Sequence, residues 1–431
     1  MVNERRWRIL IFTLYFLLAV GYSLLMPPWE APDEGAHYHL AWYLHAMHRY
    51  PTPEKNYEAQ QPRGVYYLGS WILRAIDKIN PELTAYYFPK EYKYNIRIPE
   101  RRFDWTNKNY RFLLGVYALR WVNILFGGIA LWLSWKTFRL IDPGKATLHF
   151  AALGLAALTP QYLHIMSSVN NDALGTLAGA SLFYLVTRFL KEPSNLHGLL
   201  LFFLSILLPL TTKLTVLPIS VVVILVLAWK WFLGFSQKKW FFYLGALVLL
   251  CTTIFYFLFP EFFQFAASEV KWRLFSLHKK ALTIKYIKDV SSQILWTFWG
   301  KVGWLAVGLP PWIIYFLTTF GLTGMLLKGI KLIRSEMNNS QFKLWISTWL
   351  IASFTILAVF RNGLTTFATQ GRLLFPAMGA LSLLMVSGWH DVLPERVQRY
   401  LPAFIILFLF SCNMILWLTG VLPVYYQPFL D

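Results

Sequence analysis

Two neighbouring acids, Asp33 and Glu34, follow the first long apolar stretch of the chain, within the segment MPPWEAPDEGAHYHLAWYL. A carboxylate just outside a bilayer can act as a general base on a substrate that a lipid carries. Nearby prolines restrict the backbone around the pair, which favours a fixed turn. The alternative is that Asp33 caps an amphipathic helix over 34–49, because Asp is a good N-cap residue.

Two further polar groups interrupt later apolar segments. Asn171 and Asp172 stand at the outer end of one segment, where an acid is costly in lipid and should face the interior of a helix bundle. The alternative is again a helix N-cap. Lys213, in LTTKLT, either extends its ammonium group to the membrane interface or meets a phosphate within a broken helix.

The composition is that of a membrane protein. Of 431 residues, 57% are hydrophobic and only 14% are charged, whereas a soluble domain carries about 25% charged residues. The formal net charge of +19 would suit nucleic acid, but the basic residues cluster between apolar runs, a pattern that sets topology and attracts anionic lipids. Nucleic acid is therefore excluded as the expected partner. Cys251 and Cys412 lie inside apolar runs and indicate neither a disulfide framework nor a zinc site.

The apolar segments predict an all-α polytopic membrane protein with about eleven transmembrane helices. They cover 7–26, 111–138, 147–165, 170–190, 198–211, 214–232, 240–260, 309–329, 342–360, 371–389 and 401–420. The first lacks a small-residue cleavage site and is expected to be retained. With a cytoplasmic N-terminus, every inner loop is basic if both short segments cross, as the positive-inside rule requires.

This topology places two long loops, 27–110 and 261–308, outside the cell membrane, together with the C-terminal Asp431. Neither loop is long or polar enough for a separate globular domain, so residues 1–431 are expected to form a single transmembrane domain.

The first outer loop contains two amphipathic segments. Residues 34–49 and 64–79 combine aromatic and apolar residues with polar ones, which predicts helices lying in the membrane interface. Residues 80–110 are rich in Pro, Tyr and charge and predict an irregular loop.

Lys301, Arg361 and Arg372 fall on the outer side, where the positive-inside rule disfavours basic residues. Binding an anionic phosphate is one reason for them to be there, and Arg suits two-pronged contacts. Anchoring to lipid headgroups is the other. Arg372 follows Gly371 at a helix start, which favours the phosphate.

The histidines of the first outer loop are candidate metal ligands. A zinc-binding helix needs His at positions i and i+4, and no pair among His37, His39, His45 and His48 has that spacing. Asp33 and His37 do, so a bound divalent ion is the alternative to a His37 that orients the acidic pair. The primary prediction is no metal centre.

Several stretches resemble one family. PPWEAPDEGAHYH resembles the Pro-Asp-Glu-x-x-His motif of an uncharacterised bacterial membrane-protein family placed in the GT-C superfamily of polytopic glycosyltransferases. EAQQPRGVYYL, with Gln61 and Tyr66, resembles the superfamily's His-Gln-Pro-Pro-Leu-Tyr-Tyr loop, although Gln60 and Arg63 depart from it. Three further stretches resemble outer connections and a late helix start of the same superfamily: LTPQYLHIMSSVNNDAL, TFWGKVGW and ATQGRLLFPA. The resemblance therefore spans about 27–376.

The resemblance implies a GT-C fold and an integral-membrane glycosyltransferase acting on the extracytoplasmic face. Nucleotide sugars are absent there, so the expected donor is a polyprenyl-phosphate sugar, and the acceptor is a glycan, a lipid or a protein. Asp33, with Glu34, would take the acceptor's proton in an inverting displacement. Arg372, helped by Lys301 or Lys213, would stabilise the leaving phosphate.

The remaining expected substrate-binding residues are His37, Gln61, Tyr66, Asn171, Asp172 and Arg361. Two other classes of function stay open. One is a flippase or transporter of lipid-linked oligosaccharides, and the other is a non-catalytic membrane scaffold of polysaccharide assembly.

Overall fold

The computed structural model describes residues 4–52, 55–79, 113–234, 283–334, 339–365 and 369–426. Within these ranges, seven helices are long and apolar enough to cross a membrane, and three shorter apolar helices accompany them. The protein is an all-α polytopic membrane protein, as predicted. The predicted loop over 80–110, the predicted helix over 240–260 with Cys251, and residues 261–282 of the second outer loop lie outside the described residues.

The helices are numbered here in chain order. They are α1 (Glu4–Leu25), α2 (Glu34–Met47), α3 (Gly64–Asp77), α4 (Leu113–Ile141), α5 (Ala146–Leu158), α6 (Pro160–Met166), α7 (Asp172–Lys191), α8 (Asn195–Thr211), α9 (Leu217–Gly234), α10 (Ile284–Trp299), α11 (Pro311–Arg334), α12 (Asn339–Thr365), α13 (Met378–Val392), α14 (Glu395–Gln398), α15 (Leu401–Leu416) and α16 (Leu422–Tyr426).

Shorter elements join these helices. The 3₁₀ helices are Tyr57–Gln60, Leu214–Val216 and Gly371–Ala377, and a π-helical turn covers Trp417–Val421. Strands β1 (Lys301–Val302) and β2 (Val307–Gly308) form an antiparallel hairpin. The core forms where α4 packs on α7 and where α5, buried along most of its length, packs on α13 and α15.

The segment predicted as one helix over 147–165 is broken into α5 and α6 at Thr159. Pro160 causes the break, because proline has no N–H to donate and its ring clashes with the preceding turn. The freed carbonyl of Leu158 accepts a hydrogen bond from Nδ2 of Asn413 at 2.9 Å. The interruption is therefore compensated by a side chain from α15.

The two short predicted helices become α8 and α9, which pack against each other. Pro209 lies inside α8, and the chain turns at Thr212 and Lys213, where the backbone of Lys213 is extended with φ −160° and ψ 136°. Lys213 is thus held at the connection between two helices.

The two helices predicted over 34–49 and 64–79 are present as α2 and α3, which pack on each other. Residues Tyr66 and Leu73 of α3 are buried, whereas Trp71 is 62% exposed. This two-faced pattern fits a helix that lies in the plane of the membrane interface.

Charged residues form clusters at the two ends of α13. Arg372 precedes this helix and meets Asp33. Asp391 ends it, and its carboxylate accepts ion pairs from Lys145, Lys328 and Lys331. Asp33 and Arg372, which are both predicted to lie outside, therefore meet at one end of α13. Asp391 and its three lysines, which are predicted to lie inside, meet at the other end.

The predicted orientation is testable with single cysteines in a chain whose Cys251 and Cys412 are replaced by Ala. Lys288→Cys should react with an impermeant thiol reagent on intact cells, because the second outer loop is predicted to face outward. Lys191→Cys should react only after permeabilisation. Both side chains are exposed in the structure, so access within the fold is matched. The reverse labelling pattern would invert the orientation.

Candidate active site

A cavity of about 610 Å³ lies between α2, the start of α7, α9, α12 and the 3₁₀ helix that precedes α13. Its polar lining consists of Asp33, His37, Glu58, Gln61, Asn171, Lys213, Thr215, Thr355, Arg361, Asn362 and Arg372. Its apolar lining consists mainly of Leu214, Leu217, Pro218, Val221, Phe354, Leu357 and Ala358. A charged pocket is thus continuous with an apolar groove, and seven of the predicted site residues line it.

Asp33 occupies the N-cap position of α2, but its side chain makes no capping hydrogen bond. Its backbone is left-handed with φ 62°, and Trp29 in the same loop has φ 72°. Non-glycine residues rarely adopt this conformation. Oδ2 of Asp33 instead accepts a hydrogen bond from Nη2 of Arg372 at 2.8 Å. The carboxylate, 22% exposed, therefore points to a cation of the cavity.

Opposite charges alternate across the floor of the cavity. Nη1 of Arg372 lies 3.6 Å from Oδ2 of Asp172, and Nζ of Lys213 lies 2.6 Å from Oδ1 of Asp172. Asp172 is only 1% exposed and does not line the cavity itself. The acid of α7 therefore holds two cations that face the cavity.

Arg372 has unused hydrogen-bonding capacity. Its Nε and Nη1 atoms are buried and donate no hydrogen bond. The neighbouring Gly371 allows this placement, because a Cβ there would collide with the backbone of Phe298 in α10. The backbone N–H of Gly371 donates a hydrogen bond to Oγ1 of Thr297 at 2.6 Å. The guanidinium is thus fixed in place with donors left for a ligand.

Glu34 lies outside the cavity, although it is the chain neighbour of Asp33. Its carboxylate is fully buried and accepts two hydrogen bonds from Arg120, at 2.8 Å from Nε and 2.6 Å from Nη2. The backbone N–H groups of Trp29 and Val169 donate to the same carboxylate, each at 2.9 Å. Its lone pairs are engaged by groups that hold the loop and α4 together.

His37 lines the cavity, and Tyr66 lies behind it. Nδ1 of His37 is 2.8 Å from the hydroxyl oxygen of Tyr66, and the two rings stack. Burial lowers the pKa of His37 to about 4, so the imidazole is neutral at pH 7. Gln61 and Asn171 meet beside it, where Nδ2 of Asn171 donates to Oε1 of Gln61 at 3.4 Å. These groups suit hydroxyl-rich ligands.

Lys301 does not join the other predicted residues. It lies on β1, where its backbone N–H donates to Oε1 of Gln161 at 2.8 Å, and it is absent from the cavity lining. Arg361 does line the cavity, near the end of α12. Among the residues that the structure describes, no three His, Cys, Asp or Glu side chains come together as metal ligands.

Glu58 was missed by the sequence interpretation, although it opens the quoted stretch EAQQPRGVYYL. It lies on the 3₁₀ helix Tyr57–Gln60 and lines the cavity. Burial, and next the negative charge of Asp33, raise the pKa of Glu58 to about 7. Nothing in the local sequence distinguishes this acid from a solvated one.

No protein-family profile matches the sequence, and no curated protein matches it. The fold is similar to that of ArnT from Cupriavidus metallidurans bound to undecaprenyl phosphate, at 12% identity and a TM-score of 0.48, over 97% of this chain and 73% of ArnT. It is also similar to the apo oligosaccharyltransferase of Archaeoglobus fulgidus, at 13% identity and a TM-score of 0.49, over 95% of this chain and 55% of that one. Similarities this low do not carry an activity from one protein to another.

The Glu34–Arg120 contact predicts a stability defect rather than a purely chemical one. Glu34→Gln leaves the guanidinium of Arg120 buried without its counter-charge, which should cost about 3–5 kcal/mol. We expect a marked fall in the thermal unfolding midpoint of the purified protein. Asp33→Asn, at a part-exposed site, should shift the midpoint much less. Glu395→Gln, an exposed acid, is the control. An unchanged midpoint for Glu34→Gln would contradict this role.

Proposed function

We propose that the protein is an integral-membrane glycosyltransferase that moves a sugar from a polyprenyl-phosphate donor to an acceptor hydroxyl on the extracytoplasmic face. The observation that carries this proposal is the continuity of a charged pocket with an apolar groove in one cavity. A lipid-linked phosphosugar has a matching apolar chain, anionic phosphate and polar sugar. The acceptor is a glycan, a lipid or a protein.

The apolar groove is proposed to hold the polyprenyl chain. Phe354, Leu357 and Ala358 line it from α12, and their spacing places them on one helix face. Arg361 follows one turn later on the same face. Leu217 and other residues at the start of α9 form the facing wall. This face of α12 therefore carries apolar side chains first and a cation at its end. A polyprenyl phosphate has the same order, with an apolar chain that ends in an anionic phosphate.

Arg372 and Lys213 are proposed to bind the donor phosphate in the charged pocket at the end of the apolar groove. Both face the cavity, and Asp172 holds both from behind. Charge-assisted hydrogen bonds from such fixed donors stabilise negative charge that develops on a leaving group. No reorganisation of the cations is then needed when the bond to the phosphate breaks.

Asp33 is proposed as the general base. It removes the proton of the acceptor hydroxyl while the acceptor oxygen bonds to the anomeric carbon, and the bond from that carbon to the phosphate oxygen breaks. Direct displacement of this kind inverts the anomeric centre. Asp33 lies 2.8 Å from Arg372, so the base and the leaving-group cation are adjacent.

Glu34 is proposed as a positioning residue rather than a second base. Its buried pairing with Arg120 fixes the loop that carries Asp33. A transporter of lipid-linked sugars would also use a polar cavity with an apolar exit. It has no need of an acid held against a phosphate-binding cation, and this arrangement favours an enzyme.

The function is tested by incubating the purified protein with a panel of polyprenyl-phosphate sugars and acceptors and measuring released polyprenyl phosphate. Asp33→Asn should lower turnover by about 10²–10⁴-fold, because the amide cannot take a proton. Glu395→Gln should match the wild type. Binding of the donors without release in any combination would favour a transporter. Normal turnover by Asp33→Asn would remove Asp33 as the base.

Arg372 is tested by comparing Arg372→Lys with Arg372→Ala. A guanidinium makes a two-pronged contact that an ammonium cannot reproduce, so both variants should bind polyprenyl phosphate more weakly. A charge-assisted hydrogen bond contributes about 1.5–3 kcal/mol, which corresponds to roughly tenfold to a hundredfold in affinity. The comparison also separates this role from headgroup anchoring, for which Lys substitutes freely. Wild-type affinity in Arg372→Lys would refute the phosphate site.

A further inference from the structure

Glu58 differs from the other acids around the cavity in its lack of a cation partner. The carboxylate of Asp33 pairs with Arg372, and that of Asp172 pairs with Lys213. Within the described part of the chain, the side chain of Glu58 makes no hydrogen bond or ion pair, yet it lines the cavity beside these pairs. An unpaired, half-buried carboxyl facing a ligand cavity is free to gain or lose a proton.

The position of Glu58 is built into the fold. Oδ1 of the buried Asn56 accepts a hydrogen bond from the backbone N–H of Glu58 at 2.9 Å, and Nδ2 of Asn56 donates to the carbonyl of Ala36 in α2 at 2.9 Å. Asn56 therefore ties the short 3₁₀ helix to the helix that follows Asp33. Glu58 is held at the cavity wall by the same unit that presents the proposed base.

The charges of the cavity balance only when Glu58 is considered with its neighbours. Lys213, Arg361 and Arg372 contribute three positive charges. Asp33 and Glu58, with Asp172 behind the lining, contribute three negative charges when all are ionised. A phosphodiester ligand brings one further negative charge. Uptake of one proton by Glu58 restores neutrality, which a partly dehydrated cavity favours.

The histidine and the two tyrosines nearest to Glu58 are neutral at pH 7. His37 is already neutral, because burial lowers its pKa to about 4. Burial raises the pKa of the Tyr50 and Tyr66 hydroxyls, so both also stay neutral. Asp33 is paired with Arg372, and Asp172 is paired with Lys213 and Arg372. Glu58, whose pKa is raised to about 7, is the group poised to respond.

We propose that Glu58 binds the lipid-linked phosphosugar in its protonated form, donating a hydrogen bond from its carboxyl O–H to the ligand, so that binding takes up one proton. This inference rests on the proposed function, since it needs a phosphodiester in the cavity. It assigns Glu58 to donor recognition and leaves proton removal from the acceptor to Asp33.

The proposal sets the direction of a pH dependence. Below the pKa of free Glu58 the carboxyl is protonated and binding needs no proton uptake. Above that pKa, each binding event must draw a proton from solution, so affinity falls by up to about tenfold per pH unit. Ligand affinity should therefore be constant in mild acid and decline above about pH 7.

The test uses the methyl phosphodiester of a polyprenol, whose single acidic group stays ionised across the neutral range. Its affinity for the purified full chain is measured between about pH 6 and pH 9. The wild type should lose affinity above about pH 7. Glu58→Gln, whose side chain is neutral at every pH, should bind equally well across this pH range. Glu395→Gln should follow the wild type.

A second measurement needs no variant. Calorimetric titration of the wild type at about pH 8, in buffers of different ionisation enthalpy, should show uptake of nearly one proton per ligand bound. No net uptake, or a pH dependence that persists in Glu58→Gln, would overturn the role of Glu58 while leaving the donor site intact. If the wild type does not bind the phosphodiester at any pH, the proposed function itself fails.

Discussion

The buried ion pair between Glu34 and Arg120 is the interaction on which the cavity-containing end of the bundle depends. Arg120 donates to the carboxylate and also to carbonyl groups at the end of α1, while Glu34 accepts from the backbone of Val169 before α7. One pair thus joins α1, α4 and the start of α7 around the loop that precedes α2. Because an unpaired charge at this depth is strongly unfavourable, the loop has few alternatives to its observed conformation. The left-handed backbone of Asp33, one residue away, is stabilised by this constraint.

The cavity beside this pair combines fixed cations with little net charge. Asp172 is buried beneath Arg372 and Lys213 and orients both. In a poorly hydrated site such pairing reduces the desolvation penalty of each cation and still leaves N–H groups for a ligand. Selectivity in such a site comes from the placement of donors rather than from an excess of positive charge. Apolar side chains of α9 and α12 form the remaining wall of the cavity.

Much of the architecture could be predicted from sequence, because apolar length and basic connections are local properties of the chain. Pro160 is a local signal for the helix break, which the single predicted segment did not use. The compensating Asn413 comes from α15, more than 200 residues later, and could not be predicted locally. Seven of the predicted site residues line the cavity, but only Asn171 and Lys213 among them were predicted as polar interruptions of apolar segments. The roles of Asp33 and Glu34 could not be separated, because their partners Arg372 and Arg120 are distant in the chain. Glu58 has no sequence signal at all, since what distinguishes it is the absence of a partner among the described residues.

The cluster around Asp391 has a consequence for how the protein is made. Lys145, Lys328 and Lys331 belong to the connections that the positive-inside rule assigns to the cytoplasm, and in the folded bundle all three converge on this one carboxylate. The ammonium group of Lys328 also lies 3.6 Å from the centre of the Trp345 ring. The positive-inside rule predicts that these lysines act as separate topogenic signals during membrane insertion, whereas in the folded protein all three pair with a single acid. Neutralising one of them is therefore predicted to weaken the orientation signal and the helix packing together, which couples membrane insertion to stability at this end of the bundle.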